Sequence, residues 1–298
     1  MKRILAGIIA LIFTTLACES GTATQPVDSV STIVASTMQA FTQNAPLPTQ
    51  AEPTATVVQP SGISVTFQNV SFVIPDGLAS GATGEQVAAV DQTSGAPWDV
   101  APAHIEFTLS GYNGSLAKFN TIKLWIYPAQ DFAAVSNGAN ISLQRLNTFL
   151  ANPSTPVTND TLPQVPTFNA AQMFASNVQV INFKSGQGVR MVTQYGQAVG
   201  AVDNDGTFYH FEGLTGNGKY YVVAVLPVGN PILPSGDNPD QVPAGGVPFP
   251  GYTSSIDPKD YETYFQAVAD KLNAAAPETF TPTLTDLDKM IESLQVSP

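Results

Sequence analysis

The chain has 298 residues, a formal net charge of −12, 43% hydrophobic residues and a single cysteine. That hydrophobic share supports a real core and excludes wholesale disorder. Eleven Lys and Arg against 23 Asp and Glu exclude nucleic acid as a partner, because phosphate binding draws on basic residues that release counterions.

Met1, Lys2 and Arg3 form a short basic start, and Ile4 to Leu16 follows without a charge. A permanent membrane span needs about 20 apolar residues, so this shorter run reads as the apolar region of an export signal. It closes in Thr15-Leu16-Ala17-Cys18, where the only cysteine stands. That tetrapeptide resembles the lipobox of bacterial lipoprotein precursors. The family usually carries leucine three places before the cysteine; here Thr15 holds that place and Leu16 follows it. The resemblance covers residues 1–18. It implies that residues 1–17 are removed, that the Cys18 thiol carries a diacylglycerol, and that membrane lipid holds the chain on the extracytoplasmic face of the cell membrane. Two or three acyl chains anchor firmly where one gives only marginal binding. Glu19 follows, where an inner-membrane retention signal would carry aspartate. One thiol forms no intramolecular disulfide.

From residue 18 to 61, Thr, Ser, Gln, Pro and Ala dominate, as in NAPLPTQAEPTATVVQP at 44–60. Such a segment buries too little apolar area to offset its ordering entropy, so the sequence predicts a disordered tether with an r.m.s. span of roughly 35 Å. Val27, Val30, Ile33, Val34, Met38 and Phe41 recur at helical spacing within it, but its Ser and Thr are weak helix formers.

After Gly62 the period becomes two. Ile63, Val65 and Phe67, then Val70, Phe72 and Ile74, alternate with polar residues and stop at Pro75-Asp76-Gly77. Strands are predicted at 104–109 and 122–127, and a helix between Pro128 and Leu150, stopped by Asn152-Pro153. Residues 151–170 read as a surface crossing. Strands at 178–183, 189–195, 207–214 and 220–228 follow, joined by turns rich in Asn, Asp and Gly, the signature of an antiparallel meander. A Pro/Gly loop runs from 229 to 253. Asp257 caps a helix whose first residue is Pro258, and a last helix covers about 285–294. The expected fold is α+β: an antiparallel meander sheet with one inserted helix and a helical C-terminus packed on it, residues 62–298 forming a single domain, with two packed halves joined near residue 155 as the alternative.

Familiar chemistry is sparse. There is no Gly-x-Ser-x-Gly elbow, no phosphate-binding Gly loop, and too few His and Cys at close spacing for a zinc site. No cofactor, metal or catalytic residue is predicted. A mononuclear site using His104, His210 and carboxylates is a minor alternative. Asp203, Asp205, Gly206 and Glu212 partly match a calcium loop, but Ala201 stands at its first ligand position and a hairpin turn accounts for the same residues. His210 and Glu212 lie two apart on one strand and share a face, with Arg190 on the preceding strand placed to join them. These three residues and the 229–253 loop are the candidate ligand-binding positions. The tyrosines 209, 220, 221, 252, 261 and 264 offer faces for sugars or partner surfaces, or simply core packing. The expectation is a non-catalytic binding or interaction domain for an envelope protein or a small ligand. The alternative is an envelope hydrolase working through carboxylates, with or without His210.

Overall fold

The computed structural model describes residues 61–114, 122–167, 169–236, 238, 240–253 and 255–298. The export signal, Cys18, the tether and the apolar repeat at 27–42 lie outside the described residues.

The strands are β1 (Gly62–Phe67), β2 (Val70–Pro75), β3 (Gly81–Val87), β4 (His104–Ser110), β5 (Lys123–Pro128), β6 (Ala171–Phe183), β7 (Gly186–Gly196), β8 (Thr207–Thr215), β9 (Tyr220–Pro227) and β10 (Gln295–Val296). The helices are α1 (Ala129–Val135), α2 (Asn137–Ala151), α3 (Pro258–Ala274) and α4 (Leu284–Glu292). Two antiparallel sheets result: a seven-stranded one ordered β3-β4-β5-β9-β8-β7-β6 and a small one ordered β1-β2-β10. The fold is α+β. Strand β5 lies beside β9, so the halves before and after the 151–170 crossing share one continuous ladder.

Both faces of the large sheet are covered, which explains why its middle strands, such as β8 (TFYHFEGLT), are buried almost end to end. One face carries Phe107, Leu124, Ile126, Val192, Tyr209, Phe211, Val222 and Ala224, packed against the small sheet, α3 and α4. The opposite face carries Trp125, Tyr127, Val189, Met191, Phe208, Tyr221 and Val223 under α1, α2 and the crossing.

Two local departures from the sequence pattern have clear causes. The single helix expected over 128–150 is two. Ser136 adopts extended backbone, ends α1 and caps α2 through its hydroxyl, which accepts from the Ala139 amide at 3.3 Å. Before its last residue, Val87, the strand β3 has only small and polar residues and no apolar alternation, yet it pairs in register with β4 from Gly81↔Ser110 to Val87↔His104. At Gly84 a side chain would stand 2.7 Å from the Phe67 ring, so the missing Cβ is what lets β1 close over this edge. The predicted cap at Asp257 forms, its carboxylate accepting from the Lys259 amide at 2.9 Å.

Candidate functional site

Both histidines of the chain occur as His-x-Glu on a strand, His104-Ile105-Glu106 on β4 and His210-Phe211-Glu212 on β8. Alternation along each strand sends both pairs to the sheet face beneath α1 and α2. Their surroundings differ.

His210 and Glu212 are completely buried. The Glu212 carboxylate accepts at Oε1 from His210 Nε2 at 2.7 Å and from the Val165 amide at 2.5 Å. At Oε2 it accepts from the hydroxyls of Ser142 on α2 and Tyr221 on β9. Ser142 Oγ in turn accepts from the Gln164 amide at 2.6 Å. Burial alone would raise the Glu212 pKa, but the hydrogen bond and charge of His210 and the two hydroxyls outweigh it and hold the carboxyl below its ordinary value. A carboxylate only accepts, so Nε2 carries the hydrogen; Nδ1 is buried with no hydrogen-bond partner among the described residues. The network ties α2 and the crossing segment at 164–165 to β8 and β9. It is a bolt through the fold.

Arg190 is not part of it. Its register partner is Phe211, so its side chain lies on the opposite face of the sheet. There it makes a two-pronged ion pair with Asp288 of α4, both contacts at 3.1 Å, and reaches Gln179 and the Asn177 carbonyl. Tyr209 also donates to Asp288, at 2.9 Å. The sequence places Arg190 with His210 and Glu212, but the register of β7 on β8 puts it opposite Phe211, on the face away from His210.

The other pair opens on a cleft of about 500 Å³. Its floor is the β4–β5 face: His104, Glu106, Lys123, Trp125 and Tyr127. Its walls are the excursion between β3 and β4, Val165, Pro166 and Thr167 of the crossing, and Phe132 of α1. The excursion is closed by paired bonds between Val90 and Ala101 and pinned at its tip by Asp91, which accepts from Thr93 and Ser94. Those hydroxyls, Thr93 first, lower the Asp91 pKa to about 2. Glu106 accepts from Trp125 Nε1 at 2.7 Å and pairs with the Lys123 ammonium. His104 Nδ1 donates to the Pro102 carbonyl at 2.8 Å, leaving Nε2 for other contacts. Burial pulls the His104 pKa below its ordinary value, opposed by Pro102 and Glu106. Tyr127 stacks on Phe132 with centroids 4.0 Å apart, and the His104 ring lies tilted against Tyr127 at 4.5 Å. A second cleft of about 570 Å³ adjoins, sharing Gly95, Trp98, Val100 and Pro166 with the first. Gly138 lets the Pro166 ring approach to 2.8 Å of where a Cβ would stand, which seats the crossing against the start of α2.

Sequence reasoning singled out His210 and Glu212 and overlooked Glu106, Lys123, Trp98 and Trp125. The available signal was the repeated His-x-Glu and the fact that both tryptophans of the chain lie near it. The 229–253 loop is anchored at a few points, Leu233 being buried and Phe249 packed among Tyr252, Tyr261 and Tyr264, while many of its other described residues, such as Val242 and Tyr252, are exposed. Asp203 closes the β7–β8 connection by accepting from the Gly206 amide at 2.7 Å, while Glu212 serves the buried network. Among the described residues no cluster of His, Cys, Asp and Glu is grouped to hold a metal ion, and no helix is long and apolar enough to cross a membrane.

No protein-family model, curated protein or solved structure matches the chain.

Proposed function

We propose that this is a lipid-anchored extracytoplasmic protein whose body binds a small ligand, without catalysis, in the cleft over β4 and β5. The cleft itself carries the binding reading. It is concave, falls within the roughly 300–1,000 Å³ of small-molecule sites, and sets a few polar groups among aromatic walls. Both tryptophans of the chain line it, whereas the other His-x-Glu pair is sealed. Of the two carboxylates that line it, Glu106 has both oxygens engaged by Trp125 and Lys123, an arrangement that suits recognition better than proton transfer, and Asp99 stands on the excursion wall.

The anchoring half rests on the lipobox resemblance at Thr15 to Cys18 and on the Thr/Pro/Gln-rich composition up to residue 61, suited to hold the body off a bilayer. Two measurements test the whole. Labelled palmitate fed to a bacterial host should enter the full-length chain and not its Cys18→Ser variant; equal labelling of both, or of neither, defeats the anchor. A thermal-shift scan of the full-length chain against small-molecule panels should find a stabilising ligand whose effect Trp98→Ala removes. At a hundred times its dissociation constant such a ligand adds about 2.7 kcal/mol. A shift that Trp98→Ala leaves intact puts the site elsewhere.

A further inference from the structure

Resting on that reading, we infer that the cleft takes a neutral saccharide chain. The floor is built around one anion and one cation held together, Glu106 with Lys123, and Asp99 on the excursion wall adds one further carboxylate, so donors and acceptors stand side by side. An anionic ligand would have to face Glu106 and Asp99 at close range. A polyhydroxylated one meets donors and acceptors at once, each hydroxyl able to give and to take a hydrogen bond. The Lys123 side chain is 28% exposed and keeps ammonium hydrogens beyond the one facing Glu106. His104 has Nε2 to offer, since Nδ1 is committed to Pro102. Thr167, on the facing wall, has a hydroxyl buried with no hydrogen-bond partner among the described residues.

The apolar half of the site fits the same ligand. A pyranose has a polar rim and a face of C–H groups that lies flat on an aromatic ring. Trp98 is the large aromatic most available for this: 36% exposed, it stands where the two clefts meet, while Trp125, Tyr127 and Phe132 are largely buried beneath. A ligand passing over Trp98 would occupy both clefts, so a chain of two or more rings fits better than one. The second cleft continues the chemistry with Gln92, Asn137 and Asn169, polar and uncharged. Nothing in either cleft adds a second cation for a phosphate or sulfate, and the chain as a whole is strongly acidic.

The two tryptophans make the test simple, because intrinsic indole emission reports on this cleft alone. Full-length protein, purified in a detergent without a sugar headgroup, is titrated to 10 mM with maltotriose, cellotriose and the β-1,4-linked N-acetylglucosamine trimer. Parallel titrations use inorganic phosphate, spermidine and a mixed tripeptide set. At least one trisaccharide should shift or quench the emission saturably. By calorimetry, Trp98→Ala should weaken that binding at least about tenfold, Thr167→Val should weaken it less, and Tyr252→Ala, an exposed aromatic elsewhere, should leave it unchanged. Response to the charged probes or peptides with none to the trisaccharides overturns the saccharide inference and leaves a binding cleft in place. Response to nothing overturns both.

Discussion

The two His-x-Glu pairs share a sequence pattern, a sheet and a face, and the fold puts them to different use. Over β8 and β9, helix α2 and the 164–165 backbone deliver Ser142 and two amides onto the Glu212 carboxylate or its neighbour, and the pair is fully buried. Over β4 and β5 the cover is a looped excursion and the short α1, and a cleft remains. The residue pattern sets what chemistry is available; the packing above it decides whether a ligand can reach it. A buried carboxylate with all its bonds made internally is architecture. Glu106 is also buried and bonded within the chain, but it belongs to a cleft floor, and its partner lysine is partly exposed and can be shared with a ligand.

This contrast can be broken by mutation, and the largest effect belongs to the sealed pair. Glu212→Leu strands the His210 ring, the Val165 amide and the Ser142 and Tyr221 hydroxyls in the buried interior. Removing one side of such a buried network costs about 3–5 kcal/mol, and for a body of this size each kcal/mol lowers Tm by roughly 2–4 °C. Circular-dichroism melting checks it; a drop under about 3 °C would mean the network is peripheral to the fold.

Arg190→Leu comes next, at about 2–3 kcal/mol, below the full buried-pair penalty because Asp288 is partly solvated. Amide exchange should show protection lost first in α4, which Arg190 fastens, with indole emission from the cleft unmoved. An emission change would return Arg190 to the ligand site.

Acidification should act on both pairs in sequence. The His104 pKa lies below 6.5 in the folded chain, so its contribution is complete above pH 6.5 and declines as pH falls below that value toward the folded pKa. The Glu212 pKa lies below 4.5, so its contribution is complete above pH 4.5 and is lost as pH falls through the lower folded pKa. Melts from pH 8 to 3 should therefore show two declines. His104→Gln should remove the one that begins near pH 6.5 and leave the more acidic one.

The smallest effect is Trp98→Ala on stability, within about 0.5 kcal/mol, since the ring is the most exposed of the cleft aromatics. A loss several times larger would make Trp98 a prop of the excursion and weaken its case as a ligand platform.

Much of the frame was legible in the residues, and the gaps are instructive. The meander from β6 to β9 is written in short polar turns between β-branched and aromatic runs, and the Asp257-Pro258 start of α3 is a local signal that the fold obeys. Strand β3 was invisible because GATGEQV has no apolar face to alternate; its pairing comes from β4 and from room at Gly84. The pairing of His210 with Glu212 followed from spacing on one strand, but its partners Ser142, Val165 and Tyr221 come from three other elements and follow from no local pattern. Register likewise decided Arg190, since parity within a strand does not say which face of the sheet it becomes. The cleft was hidden for the same reason: Trp98, Glu106, Lys123 and Thr167 are brought together by the sheet and the crossing, not by sequence neighbourhood.

The most direct test of the account is a side-by-side thermal melt of Glu106→Leu and Glu212→Leu in the full-length chain. Glu106→Leu should cost only about 1–2 kcal/mol, since Lys123 can turn to water and one indole N–H is left to find a new acceptor. Glu212→Leu should cost at least twice that. Equal losses, or a larger loss at Glu106, would contradict the division of this sheet face into a structural bolt and a binding floor.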